Sequence, residues 1–130
     1  MKIIFNSVNS GLANNGGSQR IIRMALALKN FGNEAIIISN RKNRFTWFDF
    51  DHSIVQEANE DPTTWPKCDV IIATGCSTIW ETVAYPYLSK EKKFYWIRGF
   101  ETWAQKPADL WCIRIGTFAF PAAYLKRSSD

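Results

Sequence analysis

The apolar positions of this chain fall into short bursts separated by polar, glycine-bearing stretches. Residues 2–8 carry Ile3, Ile4, Phe5 and Val8 without full alternation, the pattern of a strand covered on both faces. Asn9-Ser10-Gly11-Leu12-Ala13-Asn14-Asn15-Gly16-Gly17 follows, a turn-rich run that sustains neither regular structure. Ile21, Met24, Ala25 and Leu28 then recur at helical spacing, with Ile22 and Leu26 widening the stripe. The pattern predicts a helix whose start is capped by the Ser18 hydroxyl and whose end is set by Gly32. Residues 34–39 predict a second buried strand, and Cys68-Asp69-Val70-Ile71-Ile72-Ala73-Thr74 a third, ending at Gly75. Residues 78–84 predict a short helix closed by Pro86, and residues 93–97 a further strand.

Two regions resist this reading. Residues 41–67 hold Phe45, Trp47, Phe48 and Phe50, then an acidic stretch, then Pro62 and Pro66; a short strand near residues 53–56 is the one regular element expected there. The tail, residues 112–130, has no assignable period. No internal repeat or low-complexity tract is present. Strands alternating with helices argue for the α/β class: a Rossmann-like open parallel sheet flanked by helices and joined by right-handed crossovers. At 130 residues and 46% hydrophobic composition, one such domain spanning 1–130 is the expected organisation.

Charge changes the picture little. Lysine and arginine exceed aspartate and glutamate by 16 to 12, a net +4. The cations fall in small groups, Arg20/Arg23, Arg41/Lys42/Arg44, Lys90/Lys92/Lys93 and Lys126/Arg127, none long enough for a nucleic-acid tail. They read as a solvated surface, with a phosphate-bearing ligand or peripheral contact with an anionic membrane as the alternatives. No nucleic-acid partner is expected. Cys68, Cys76 and Cys112 are odd in number and lack CxxC spacing, so neither a disulfide framework nor a zinc site is indicated. The single histidine, His52, excludes clustered-imidazole metal chemistry, and no metal or cofactor is expected. No apolar run nears the roughly 18–20 residues of a membrane span, and the N-terminus turns polar too early for a secretory segment. A cytoplasmic location follows as the expectation.

Open parallel sheets bind ligands at the carboxyl ends of their strands, where strand order reverses. That rule brings two loops together here, one over residues 11–18 and one over residues 75–77. Gly16, Gly17 and Ser18 stand before the first helix, whose N-terminal N–H groups and dipole suit a phosphate or carboxylate, and Arg20 adds a charge. A plain turn with a helix cap explains the same residues. Thr74, Gly75 and Cys76 follow the third strand and line the same expected crevice. Cys76 has no histidine partner in view, which argues against a nucleophile. Arg98 and Glu101 stand just past the last strand, either reaching into the crevice or pairing at the surface. G-x-G-x-x-G is absent, as is Gly-Lys-Ser/Thr, and Ser39-Asn40-Arg41 offers no ribose-binding carboxylate; nicotinamide enzymes are disfavoured.

The opening strand, Gly16-Gly17-Ser18-Gln19-Arg20 at the head of a helix, and Gly32 before the second strand resemble the N-terminus of GT-B glycosyltransferases of the family-4 type. Asp69-Val70-Ile71-Ile72-Ala73-Thr74 and Phe94-Tyr95-Trp96-Ile97-Arg98-Gly99-Phe100-Glu101 are similar to later segments of that family, and the likeness covers residues 1–111, with residues 41–67 carrying little of it. It implies a single GT-B half, the acceptor side, of an enzyme moving a hexose from a nucleotide sugar to a saccharide acceptor. It also implies that the glycine loop, through Gly16 and Gly17, reaches the donor phosphates. Glu101 is then the carboxylate to test as general base toward the acceptor hydroxyl. The donor-binding second domain of the family has no counterpart in 130 residues, so the expectation is an incomplete unit, inactive alone. Six tryptophans and nine phenylalanines exceed the needs of one small core, which points to a partner chain or homodimer covering some of them. Two other readings stay open: a stand-alone module for a phosphorylated ligand, and a structural dimerisation domain.

Overall fold

The structure, a computed structural model, describes residues 1–96 and the backbone of 119–121. Six strands form one sheet: β1 (Lys2–Asn6), β2 (Glu34–Ser39), β3 (Val55–Glu57), β4 (Val70–Ala73), β5 (Lys93–Trp96) and β6 (Ala119–Pro121). Their order is β3-β2-β1-β4-β5-β6. The first five are parallel, and β6 runs antiparallel along β5. An α/β fold with a five-strand parallel sheet is therefore the architecture. The antiparallel edge lies in the tail where no pattern was legible.

The sequence order of strands moves outward on both sides of β1 and β4, so the chain's winding reverses between these two neighbours. β1 is the central element. Ile4 pairs in register with Ile36 on one side and Ile71 on the other, and Phe5 with Ile37 and Ile72. Ile3, Ile4 and Phe5 are all buried, which explains the unalternating apolar run. Each such side chain contributes about 2 kcal/mol by leaving water.

The two faces are covered by different means. Ile3, Phe5, Ala35 and Ile37 meet Ile21, Ile22 and Ala25 of α1 (Gly16–Asn30), together with Phe45 and Ile54. On the opposite face Ile4, Val8, Ile36, Ile38 and Ile71 meet Trp65 and Tyr85. The connections β2–β3 and β3–β4 contain no α-helix; aromatic side chains do the covering instead. Phe45 is buried at the hub of a cluster with Trp47, Phe48 and Phe50, and the Arg23 guanidinium lies 4.9 Å over the Phe48 ring. The region that looked irregular is irregular, and it is nonetheless part of the core.

Local signals explain the element ends. α1 begins three residues earlier than Ser18 would set it, because Asn15 is the N-cap and accepts from the Ser18 N–H at 2.8 Å. The Ser18 hydroxyl instead accepts from the Ala13 N–H and braces the preceding loop. At the other end Gly32 has φ +90°. Its N–H donates to the Lys29 carbonyl, and the Asn33 N–H to the Leu28 carbonyl, the paired bonds of a Schellman stop. β1 ends at Asn6 and not at residue 8, since the Val8 N–H turns to the Asn6 side chain. The strand expected over residues 53–56 is β3, one to two residues later, preceded by a single turn capped by Asp51. α2 (Ile79–Ala84) starts after Thr78, whose hydroxyl is held by the loop before it. No helix among the described residues is long and apolar enough to cross a membrane.

Candidate functional site

The carboxyl edge of the sheet divides into two neighbourhoods. The first lies between β1 and β4. Ser7 and Thr74 hydroxyls share a hydrogen bond at 3.1 Å, and Thr74 Oγ1 also donates to the Asn6 carbonyl. Thr78 Oγ1 accepts from the Thr74 and Gly75 N–H groups while donating to the Gly75 carbonyl. Asn6 Nδ2 donates to the Thr78 carbonyl and Thr82 Oγ1, tying β1 to α2. Asn6, Ser7, Thr74, Thr78 and Thr82 are all buried. These short polar side chains satisfy one another in a place where an unpaired group would cost about 1–3 kcal/mol. Cys76 is buried as well, its Sγ 3.0 Å from Tyr95 Oη.

The second neighbourhood lies beyond β1 and β2. Residues 7–15 do not hang free over the sheet but are laced to the segment after β2. The Asn40 side chain binds Asn9 twice, accepting from its N–H and donating to its Oδ1, both at 2.7 Å. That grip holds Asn9 at φ 72°, in the left-handed region that asparagine tolerates. Further along, the Arg44 N–H donates to the Leu12 carbonyl, and Asn14 and Thr46 exchange two hydrogen bonds. Gly11 sits at φ +69°, and a Cβ there would stand 3.2 Å from Arg41 Cδ. Glycine suits this point for its backbone, and a Cβ would in addition displace the Arg41 side chain slightly.

This lacing borders a partly open cavity of about 210 Å³, lined by Ser10, Gly11, Leu12 and Ala13 together with Arg41, Lys42 and Arg44. A second cavity of about 300 Å³ lies on the other side of Arg41 and Lys42, with Asn43, His52, Gln56 and Glu57 on its walls. Arg41, Lys42 and Arg44 make no ion pair among the described residues; the described pairs are Lys2–Glu34, Lys29–Asp51 and His52–Asp49. Three cations along a concave wall, none in an ion pair among the described residues, create a positive potential there. Such a wall can hold an anion.

The residues expected from the sequence are distributed over these places. Gly16 and Gly17 form the first turn of α1, with Gly16 exposed and open space around the position of a Cβ. Ser18 is buried and engaged with the loop; Arg20 is exposed. Thr74, Gly75 and Cys76 are buried around the β1–β4 network. The structure thus joins the roots of the two expected loops through Ser7 and Thr74, while the Gly11 turn leans to the β2 side. Arg98 and Glu101 lie outside the described residues. Arg41, Lys42 and Arg44 were visible in the sequence as a basic group, but nothing local distinguished them from solvated charges. Among the described residues no three His, Cys, Asp or Glu side chains gather to hold a metal.

The two described cysteines each sit against a tyrosine hydroxyl. Burial pushes the Cys68 thiol up from its ordinary range, and Sγ donates to Tyr85 Oη. Tyr85 in turn donates to the Pro66 carbonyl at 2.6 Å, and its own titration is driven upward by burial. No protein-family model, no curated protein and no solved structure matches this chain.

Proposed function

We propose that this chain is the Rossmann-like, acceptor-side half of a GT-B glycosyltransferase, cytoplasmic, serving hexosyl transfer from a nucleotide sugar to a saccharide acceptor. The observation that carries the reading is the strand order, with β1 and β4 as parallel neighbours where the winding reverses and a glycine-bearing loop leading from β1 into α1. Ligands of open parallel sheets bind at such a point. The sequence likeness over residues 1–111 supports the same family. In this reading the nucleotide-sugar site belongs to a second domain, residues 1–130 alone turn nothing over, and Glu101 serves as general base toward the acceptor hydroxyl. In this reading the exposed aromatics Phe31, Trp47 and Tyr87 face that second domain or a partner chain.

Glycosyl transfer and acceptor binding test it together. With UDP-, GDP- and dTDP-hexoses the chain alone gives no transfer, yet oligosaccharide acceptors perturb amide resonances at the β1 and β4 carboxyl ends. Robust transfer by the chain alone overturns the half-enzyme reading. Oligosaccharides that leave those resonances unmoved overturn the acceptor role.

A further inference from the structure

The cavity between the Gly11 turn and the segment after β2 is not lined by Gly16, Gly17 or Ser18, where the sequence put the phosphate. Three cations line it, and no carboxylate does. None of the three is neutralised by an ion pair among the described residues. Their backbone is held in place by pairings that lock both walls together: Asn40 on Asn9, Arg44 N–H on the Leu12 carbonyl, and Thr46 on Asn14. Glycine at residue 11 lets the Arg41 side chain lie against the turn. The three cations are exposed, and what sets them apart from scattered surface charges is the common concave wall to which these pairings hold their backbone.

We propose that this cavity is a binding site for the terminal phosphate monoester of a polyhydroxylated ligand, held by Arg41, Lys42 and Arg44. A monoester carries close to two negative charges at neutral pH, which suits a cluster of cations better than the single charge of a diester. Guanidinium groups add directional, charge-assisted hydrogen bonds to phosphate oxygens. At about 210 Å³ the cavity takes the phosphate and the adjoining part of the sugar. The body of the ligand extends past Arg41 and Lys42, which also wall the neighbouring cavity of about 300 Å³. There Asn43, Gln56 and Glu57 offer acceptors for hydroxyl groups, and His52 a further polar edge. A carboxylate in that second cavity and none in the first assigns the two ends: anion at the Gly11 turn, hydroxyls toward β3. The site stands whether or not the chain transfers a hexose.

Amide-resolved NMR titration of the 130-residue chain at constant ionic strength tests the site, with inorganic phosphate, glucose 6-phosphate and unphosphorylated glucose as probes. A sedimentation arm uses vesicles with and without phosphatidylinositol 4-phosphate, since a soluble sugar phosphate and a lipid headgroup share this chemistry. The expected result is that phosphate and glucose 6-phosphate shift the amides of residues 10–13 and 41–44, with the sugar phosphate binding more tightly and glucose not binding. Arg41→Gln with Lys42→Gln weakens binding about tenfold or more, the loss expected for charge-assisted contacts. Lys90→Gln with Lys92→Gln, which removes the same charge from another exposed group, leaves it unchanged. Sedimentation with the phosphoinositide vesicles alone, abolished by the Arg41/Lys42 pair of changes, assigns the same site to a headgroup. Shifts absent from residues 10–13 and 41–44 with every soluble probe together with no phosphoinositide-dependent sedimentation, or equal weakening by the two double substitutions, overturn the proposal. All four substituted side chains are exposed, and an unchanged spectrum elsewhere confirms the fold in each variant.

Discussion

Asn15 and Gly11 show how single positions shape the loop after β1. Asn15 satisfies the Ser18 N–H at the start of α1, a place where the helix has no acidic side chain to complement its dipole. Asn15→Ala is expected to lower stability by about 1 kcal/mol, read as a reduced urea midpoint with unchanged slope. The glycines behave oppositely from one another. Gly16 lies in helical backbone with open space around it, so Gly16→Ala stabilises by about 0.5 kcal/mol through the unfolded chain. Gly11 has positive φ and Arg41 close by, so Gly11→Ala costs about 1 kcal/mol or more. Comparing the two substitutions in one urea series checks the distinction, and equal effects would contradict it. Local chemistry alone could not rank Asn15 above Ser18 as the cap, since both residue types suit the position. The hydrogen bond from the Ala13 N–H occupies the Ser18 hydroxyl and leaves the cap to Asn15.

At the scale of elements, α2 is fastened at both ends by polar groups from strands. Asn6 of β1 holds its start and its middle through Thr78 and Thr82. Lys93 of β5 holds its end: Nζ donates to the Val83 carbonyl at 2.6 Å and the Tyr85 carbonyl at 2.5 Å. A cation suits the carbonyl end of a helix, but Lys93 is buried, and burial lowers its pKa from 10.5. The unfolded chain therefore binds this proton more tightly than the folded chain. Stability consequently rises with pH between the lowered value and 10.5, as the folded amine discharges first. Relative to Lys93→Met, the wild type should gain stability as pH is raised toward 10.5. Urea midpoints of both proteins over that interval measure the difference, and a constant gap would contradict it.

For the whole molecule the sheet order sets which parts open. β1 is bonded on both edges and covered on both faces, and Ile4 and Phe5 are fully buried. The aromatic segment between β2 and β3 is held by side chains and a few backbone bonds, with Trp47 half exposed. Amide exchange should be slowest in β1 and the facing residues of β2 and β4, and several powers of ten faster across residues 41–50. Slow exchange throughout that segment would contradict this order of opening. Binding at the Gly11 cavity should then slow exchange selectively in residues 41–44, without altering β1.

The apolar runs at Ile3–Phe5, Ala35–Ile38 and Val70–Ile72 determined the strands by themselves, because a strand buried on both faces must be apolar at nearly every position. The helical stripe from Ile21 to Leu28 and the stop at Gly32 were equally legible, being local in origin. Tertiary structure alone decided that residues 41–54 would cover the sheet with rings in place of a helix, since Phe45 acquires its burial from Phe48, Phe50 and α1. It also decided that Gly11 would meet Arg41. That contact exists because β1 and β2 pair in parallel and carry their carboxyl ends to the same edge, a relation between distant residues that no local pattern encodes.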